Sequence, residues 1–311
     1  MPELCEVVLI SQYLTTKIKN QFITDIEIIA GKYSHKHLEG INYLQNHKNK
    51  IININTKGKF MWFNLKNEYE EYVYLLNWFG LTGEWSFKKG NSDRIVLSIE
   101  SDPGSDKNIK SKLYFSDQRN FGIIQITQNI DILDKKIDTL APDFLKTDFS
   151  VDQFQRWYKE FILKHPKKKN TPIVALLLEQ DTKKGIGSGI GNYLSAEILY
   201  RAKISPYRPL DSLSDDDLKT LANTIKLVVK MCYISNKTGY MEKLIDFVDE
   251  HKKLVKEGVF PDYQPEILID TLPQFEFLVY RKKKDSHNNI VLADEIDGTG
   301  RTTYWVKEVQ K

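Results

Sequence analysis

The chain has 311 residues, 41% of them hydrophobic, and 45 basic against 42 acidic side chains leave a net charge of +3. The length points to two or three domains. Near balance of charge excludes a blanket polyanion binder, so any nucleic-acid surface must come from charge segregated by face. No run approaches the ~18 apolar residues of a membrane span, no basic region precedes an apolar block at the N-terminus, and Cys5 and Cys232 form neither a disulfide framework nor a zinc pattern. The expectation is a soluble protein of a reducing compartment, not secreted and without membrane partners.

Residues 2–16 read as an amphipathic helix, with Val7, Val8, Ile10 and Leu14 at helical spacing. Pro2 and Glu3 open it. A proline at the first helical position and acids in the first turn are ordinary helix-start chemistry. The same two residues have a chemical reading: with Met1 removed, Pro2 is a secondary amine beside a carboxyl group, a nucleophile beside an acid. Short strand-length runs follow at 22–30, 51–56, 59–65, 72–79, 94–100, 111–116 and 122–127, broken by Gly, Asn, Asp and Pro turns. Closely spaced short strands predict a β-sandwich or barrel. The segment 132–148 reads as a linker. Helical patterns then occupy 151–164, 171–180, 191–202 and 214–234. The stretch 240–268 is ambiguous and is expected to contain a mobile segment. The end, 275–311, reads as a strand, a basic turn and a hairpin whose "DGTGR" is a turn signal.

Several local patterns carry chemistry. "GIGSGIGNYLSAEILY" (185–200) crowds glycines before a helix starting near Asn192, with Gly191 immediately before it. Glycine allows close backbone approach, and a helix N-terminus is a phosphate site; a plain helical corner with glycine caps explains the pattern equally well. "TKGKF" (56–60) puts Lys59 after a glycine turn at a strand start. "FGLTG" (79–83) is a tight turn with Leu81 at its tip, and "SDQRNFG" (116–122) places Arg119 and Phe121 two apart, on one face if extended. Each has a bland reading as turn chemistry, yet a cation and apolar wedges on loops are what a protein uses to enter a duplex. Arg301 follows a glycine turn and precedes "TTYW", where it could fork across a phosphate. "KHPKKKN" (164–170) and "YRKKKDS" (280–286) are basic runs, and "DSLSDDD" (211–217) is acidic.

The N-terminal Pro–Glu, a lysine on a β-turn, "LAPDFL" (140–145), "GIGNYLSAEILY" and a terminal "GRTTYW" hairpin occur in this order along the whole chain. Together they resemble the formamidopyrimidine-DNA glycosylase/endonuclease VIII family of base-excision repair enzymes. The resemblance implies an α+β architecture: an N-terminal helix plus β-sandwich domain over 1–130, a linker over 131–150, a helical helix-two-turn-helix domain over 151–274, and a C-terminal β-hairpin finger over 275–311. It implies that Pro2 attacks C1′ of a damaged nucleotide, forming a Schiff base, and that Glu3 is the acid that opens the sugar and releases the base. Glu6 matches a supporting carboxylate. Lys59 would donate a proton and bind phosphate in β-elimination. Asn192 and Gly191 would grip flanking phosphates, and Arg301 would hold the lesion phosphate and assist δ-elimination. Leu81, Arg119 and Phe121 would fill the space left by the flipped nucleotide. The implied partner is damaged DNA, duplex or single-stranded, bound by a monomer with no cofactor in the cytosol, nucleus or a viral replication compartment.

The chain departs from the family pattern at named places. Cys5 replaces a usual proline, Leu81 stands where methionine is common, and Asn120 interrupts an Arg-Arg pair before Phe121. The segment 181–192 is a few residues longer than its counterparts. Where many members carry four zinc-binding cysteines, Lys283, Ser286, Val306 and Val309 stand here, and none of these side chains is a zinc thiolate. That places the tail with zincless, endonuclease VIII-like fingers and favours oxidised pyrimidines and hydantoins. The alternatives are a formamidopyrimidine/8-oxoguanine-preferring glycosylase, a catalytically silent damaged-DNA-binding protein and, more remotely, an RNA-binding protein.

Overall fold

The computed structural model describes residues 2–102, 109–235, 245–263 and 268–311. They form two compact units, one comprising Pro2 and Glu6–Ile137, the other Glu3–Cys5 and Asp138–Lys311.

The first unit is built on one sheet. After α1 (Leu4–Ile18) come β1 (Phe22–Ile28), a short α2 (Asn42–Gln45), β2 (Asn49–Lys57), β3 (Phe60–Asn67), β4 (Tyr72–Trp78), β5 (Gly83–Ser86), β6 (Asp93–Glu100), β7 (Lys110–Asp117) and β8 (Ile123–Thr127). They make an eight-stranded sheet in the order β5-β7-β6-β1-β2-β3-β4-β8, with every neighbouring pair antiparallel. Register shifts at Ile23/Asp25, Ile51/Asn53 and Asp93/Ile95 mark irregularities that bend and twist the strands. Alternation supplies the core: Ile51, Phe63, Leu65, Val73, Leu75, Ile95, Leu97 and Leu113 are all buried. Aromatic edges lock it, with Phe63 on Trp85 at 5.6 Å and Trp85 on Phe115 at 5.1 Å. The Trp85 indole N–H finds Asn77 Oδ1 at 3.1 Å, which satisfies a buried donor. Seven of these strands follow the sequence reading. The eighth, β5, has four residues, too few to show an alternating pattern. The connector carries a helix, α3 (Ile130–Thr139).

The second unit is helical, with α4 (Val151–Lys164), α5 (Ile173–Leu178), α6 (Asn192–Ala202), α7 (Asp215–Ser235) and α8 (Ile245–Lys256), followed by the hairpin β9 (Leu292–Glu295) and β10 (Thr302–Trp305). Ser150 and Gln153 form a reciprocal capping box at α4, and Ser214 and Asp217 exchange the same pair of bonds at α7. The α6 helix ends at Lys203 in the left-handed conformation. Within 240–268, α8 occupies Ile245–Lys256, and the remaining parts of the mobile-segment reading at 240–244 and 264–267 lie outside the described residues. α8 buries Phe247, Val248, His251 and Val255, and the His251 ring meets Tyr233 of α7 edge-on at 4.8 Å.

One predicted strand does not form. "FEFLV" (275–279) is not a strand. Its backbone donors serve a side chain instead: Leu278, Val279 and Tyr280 N–H donate to the carboxylate of Glu197 at 2.9–3.0 Å, and Phe275 N–H donates to Ser235 Oγ at 2.7 Å. A strand ladder would need those same groups.

Candidate active site

The start of α6 gathers the residues of the second unit that the sequence singled out. Glu3 is buried, and its carboxylate accepts three backbone N–H groups: Gly191 at 2.7 Å, Tyr193 at 2.9 Å and Leu194 at 3.2 Å. A helix N-terminus presents unpaired donors and a partial positive charge, and a carboxylate satisfies both. Gly191 is required by contact: a Cβ there would lie 2.3 Å from Glu3 Cδ. Leu4 N–H donates to Gly189 O at 3.1 Å, fixing the peptide beyond Glu3 on the same turn.

The glycine turn before α6 is closed by the Gln180 side chain. Gln180 Nε2 donates to the carbonyls of Leu178 at 2.8 Å, Glu179 at 3.1 Å and Ile190 at 2.9 Å, while its Oε1 accepts Gly189 N–H at 2.7 Å. Gly187 lies against Phe144, where a Cβ would stand 2.0 Å from the ring. Asn192, the first residue of α6, donates from Nδ2 to Thr302 O at 2.8 Å. That bond brings β10, and hence Arg301 just before it, to the helix start that holds Glu3. Arg301 is set by Thr299, whose hydroxyl donates to Arg301 O at 3.1 Å and accepts Arg301 N–H at 3.2 Å. Asn192 Oδ1 is buried with no hydrogen-bond partner among the described residues.

In the first unit, Lys59 sits with Gly58 in the two-residue turn joining β2 to β3, and Gly58 takes φ 57° there. Glu6 is buried on α1 and Pro2 is half-buried. The Leu81 and Arg119–Phe121 loops are knitted together. Thr82 Oγ1 accepts Arg119 N–H at 3.0 Å and bonds Asp117, whose other oxygen accepts Gly122 N–H at 2.6 Å. Arg94 Nε donates to Asp117 O at 2.8 Å. Phe121 is 59% exposed at the tip. Asn120, in the left-handed region with φ 58°, has its Oδ1 bonded by Lys32 N–H at 3.3 Å. An asparagine tolerates that conformation better than most other non-glycine residues.

Sequence reasoning missed Glu197, Gln180, Thr82, Asp117, Asp285 and Asp294. For Glu197 a signal was present, an acid inside the apolar run "YLSAEILY". Glu197 is fully buried and Arg201 Nη1 reaches it at 2.5 Å. In the finger, Asp285 accepts His287 N–H at 2.8 Å, Asn289 N–H at 2.9 Å, Asn289 Nδ2 at 2.9 Å and the Tyr200 hydroxyl at 3.0 Å. Asp294 accepts Trp305 Nε1 at 2.7 Å and the Tyr207 hydroxyl at 2.9 Å. Gln310 accepts Val306 N–H at 2.8 Å and donates to Ile204 O at 2.9 Å. The side chains at 283, 286, 306 and 309 do not fit a zinc ion, since neither a valine nor a lysine ammonium is a ligand.

Comparison with known proteins agrees with this arrangement at the level of fold. The MutM (Fpg) protein of Thermus thermophilus superposes with a TM-score of 0.69 at 22% identity, covering 99% of this chain and 98% of that one. The Lactococcus lactis Fpg, solved with DNA containing an oxidized pyrimidine, gives 0.71 at 18% identity over the full length of both. The class is therefore a helix and sheet unit joined in sequence to a helix-two-turn-helix region and a terminal hairpin. Sequence narrows it further. Formamidopyrimidine-DNA glycosylase models match as the N-terminal domain over 1–124, the helix-two-turn-helix domain over 140–242 and the C-terminal domain over 266–311. The formamidopyrimidine-DNA glycosylase of Corynebacterium diphtheriae is 30% identical over 71% of this chain and 75% of its own length, and that of Rickettsia bellii 26% identical over all of both. The chain belongs to the formamidopyrimidine-DNA glycosylase family.

Proposed function

We propose that the protein is a bifunctional DNA glycosylase and AP lyase that removes oxidised bases from DNA, oxidised pyrimidines and hydantoins foremost, and cleaves the strand by β- and δ-elimination. The observation that carries the reading is the cap of α6: three backbone donors hold the carboxylate of Glu3 next to Pro2 in sequence, and Asn192 ties Thr302, the neighbour of Arg301, to the same helix start.

With Met1 removed, the Pro2 nitrogen attacks C1′. The bond to the base breaks, the electron pair leaves with the base, and the amine proton passes to Glu3 and on to the ring oxygen as the sugar opens. The product is a cationic iminium at C1′. It acts as an electron sink: a base takes the C2′ proton and the 3′ phosphate departs, then a second elimination releases the 5′ phosphate. Lys59 serves as proton donor and phosphate ligand, and Arg301 steadies the leaving phosphate. Leu81, Arg119 and Phe121 fill the stack once the nucleotide is flipped, offsetting an unstacking cost of roughly a few kcal/mol. Asn192 binds a flanking phosphate, whereas the Gly191 N–H expected to share that role is already held by the Glu3 carboxylate, and the finger works without metal.

Borohydride reduction traps the iminium. Protein lacking Met1 is expected to form a covalent adduct with oxidised and abasic duplexes. Binding without any adduct would identify a silent damaged-DNA-binding protein instead. A second reading has one specific support: the relatives named above are called formamidopyrimidine-DNA glycosylases. Faster release of 8-oxoguanine than of thymine glycol or dihydrouracil would establish it.

A further inference from the structure

Among the basic runs, 164–170 has no part in the chemistry above. It follows α4 and passes through a short 3₁₀ turn, Pro166–Lys168. Lys167 and Lys169 are exposed and Lys168 is half-buried, lying 5.4 Å over the Phe161 ring. Lys168 Nζ donates to the carbonyl of Lys184 at 3.4 Å. That bond joins the run to the turn before α6, where Lys183 and Lys184 are exposed. Asp181 builds this second turn. Its carboxylate accepts Lys183 N–H at 2.7 Å, and its carbonyl accepts Lys184 N–H at 2.9 Å and Gly185 N–H at 2.8 Å. The two segments share a cleft of about 190 Å³ whose walls include Phe161, Lys168, Thr171, Glu179, Lys184 and Gly298. Gly298 belongs to the hairpin turn that leads to Arg301.

Lys167, Lys168, Lys169, Lys183 and Lys184 thus stand on two adjoining turns. The acidic groups facing them are Glu179 on the cleft wall, Asp181, and Asp211, whose N–H donates to Lys169 O at 3.1 Å. Among the described residues none of the five lysines is in an ion pair, whereas Lys159 and Lys164 on the preceding helix pair with Asp215 and Glu160. Clustered ammonium groups repel one another, and the arrangement is relieved by a polyanion that releases condensed counterions on binding. Lysines act as point charges on phosphates and read no base.

We propose that these two turns form one auxiliary ridge for the phosphodiester backbone, binding the strand beyond the lesion and continuing toward the hairpin that bears Arg301. The ridge rests on the DNA-binding reading given above. It adds to that reading a contact contributed by the turns at 167–169 and 183–184, and it strengthens binding without taking part in bond breaking.

Salt dependence tests it. The intact protein is titrated with a duplex carrying an uncleavable abasic analogue at several salt concentrations, alongside K183Q/K184Q, K167Q/K169Q and a control, K110Q/K112Q, whose lysines pair with Glu100 and Glu27. Each phosphate contact contributes about 0.9 to the slope of log affinity against log salt on duplex DNA. Each ridge variant should therefore flatten the slope by up to about 1.8 and weaken binding at low salt, while the control keeps the parent slope. Parent-like slopes in both ridge variants, or an equal change in the control, would overturn the ridge alone. Competition by inorganic phosphate as effective as that of a DNA strand at equal ionic strength would make it a small-anion site and likewise overturn it. A parent protein that binds no DNA would instead remove the functional reading on which the ridge rests.

Discussion

Glu197→Gln isolates the link between the helix-two-turn-helix core and the finger. In the parent, Oε1 accepts Leu278, Val279 and Tyr280 N–H, and Oε2 accepts Leu278 N–H and Arg201 Nη1. Glutamine keeps one oxygen for the three peptide donors. Its amide then points N–H₂ at the Arg201 guanidinium, donor against donor, leaving a cation that is only 14% exposed without its carboxylate. A charge-assisted hydrogen bond is worth about 1.5–3 kcal/mol, and removing one partner of a buried pair costs about 3–5 kcal/mol. Because Arg201 retains bonds to Glu197 O and Glu276 O, the lower part of that range applies, about 3 kcal/mol. Urea unfolding gives the midpoint shift, and Glu197→Gln/Arg201→Met provides the double-mutant cycle. The double variant should be less destabilised than the sum of the singles by about 1–3 kcal/mol. A loss below about 1 kcal/mol in Glu197→Gln, with an additive cycle, would refute the assignment of Glu197 as the anchor of 278–280.

Gly191→Ala, placing a Cβ 2.3 Å from Glu3 Cδ, should reduce borohydride-trapped adduct at least about tenfold, since misplacement of about 1 Å costs on that order or more; trapping at the parent rate would refute the cap. Thr82→Val removes the acceptor of Arg119 N–H and the partner of Asp117, and urea unfolding should show a loss of about 1–3 kcal/mol together with weaker binding to lesion duplex. Burial drives the His251 imidazole, with Lys252 a smaller influence, from 6.5 down to about 3. The unfolded chain therefore binds more protons between those values, so stability is full above pH 6.5 and falls as pH drops through the window. Unfolding at about pH 4.5 should show about 2–3 kcal/mol less stability than at about pH 7, a difference that His251→Phe removes.

Periodicity reaches what is regular. Seven strands and four long helices are visible because alternation or a 3.6-residue stripe survives in each, and Ser150 with Gln153 marks the start of α4 in plain view. What is not visible is who receives a backbone donor. "FEFLV" has strand composition, yet a glutamate some eighty positions earlier takes its N–H groups. Glu3 looks like a first-turn acid of α1, and its partners lie at 191–194 on a different helix. Thr82 and Asp117 are ordinary turn residues until the two loops meet. The sequence pattern singled out Pro2, Asn192 and Arg301 by order along the chain, whereas the bonds that set Glu3, Asn192 and the backbone beside Arg301 arise from tertiary proximity.

The finger makes the strongest case for carboxylates as organisers. A metal site concentrates its stabilisation in one ion, with binding free energies of about 10–16 kcal/mol in zinc-finger peptides. Here Asp285 and Asp294 together take four hydrogen bonds within the finger and two from tyrosines on and beyond α6, each charge-assisted bond contributing about 1.5–3 kcal/mol. Both designs weaken in acid, but only a metal site is dismantled by a chelator. Burial pushes the Asp285 carboxyl up, but its bonds from Asn289, Tyr200 and His287 outweigh that and hold it below its ordinary value. Its stabilising contribution is therefore present above the unfolded value near 3.8 and lost as pH falls through the lower folded one. Chelators should leave strand cleavage unchanged at neutral pH. Tyr200→Phe, which keeps the ring and deletes one donor, should cost about 1.5–3 kcal/mol in urea unfolding. Loss of activity on chelation, with Tyr200→Phe indistinguishable from the parent, would mean that the finger is held by a metal after all.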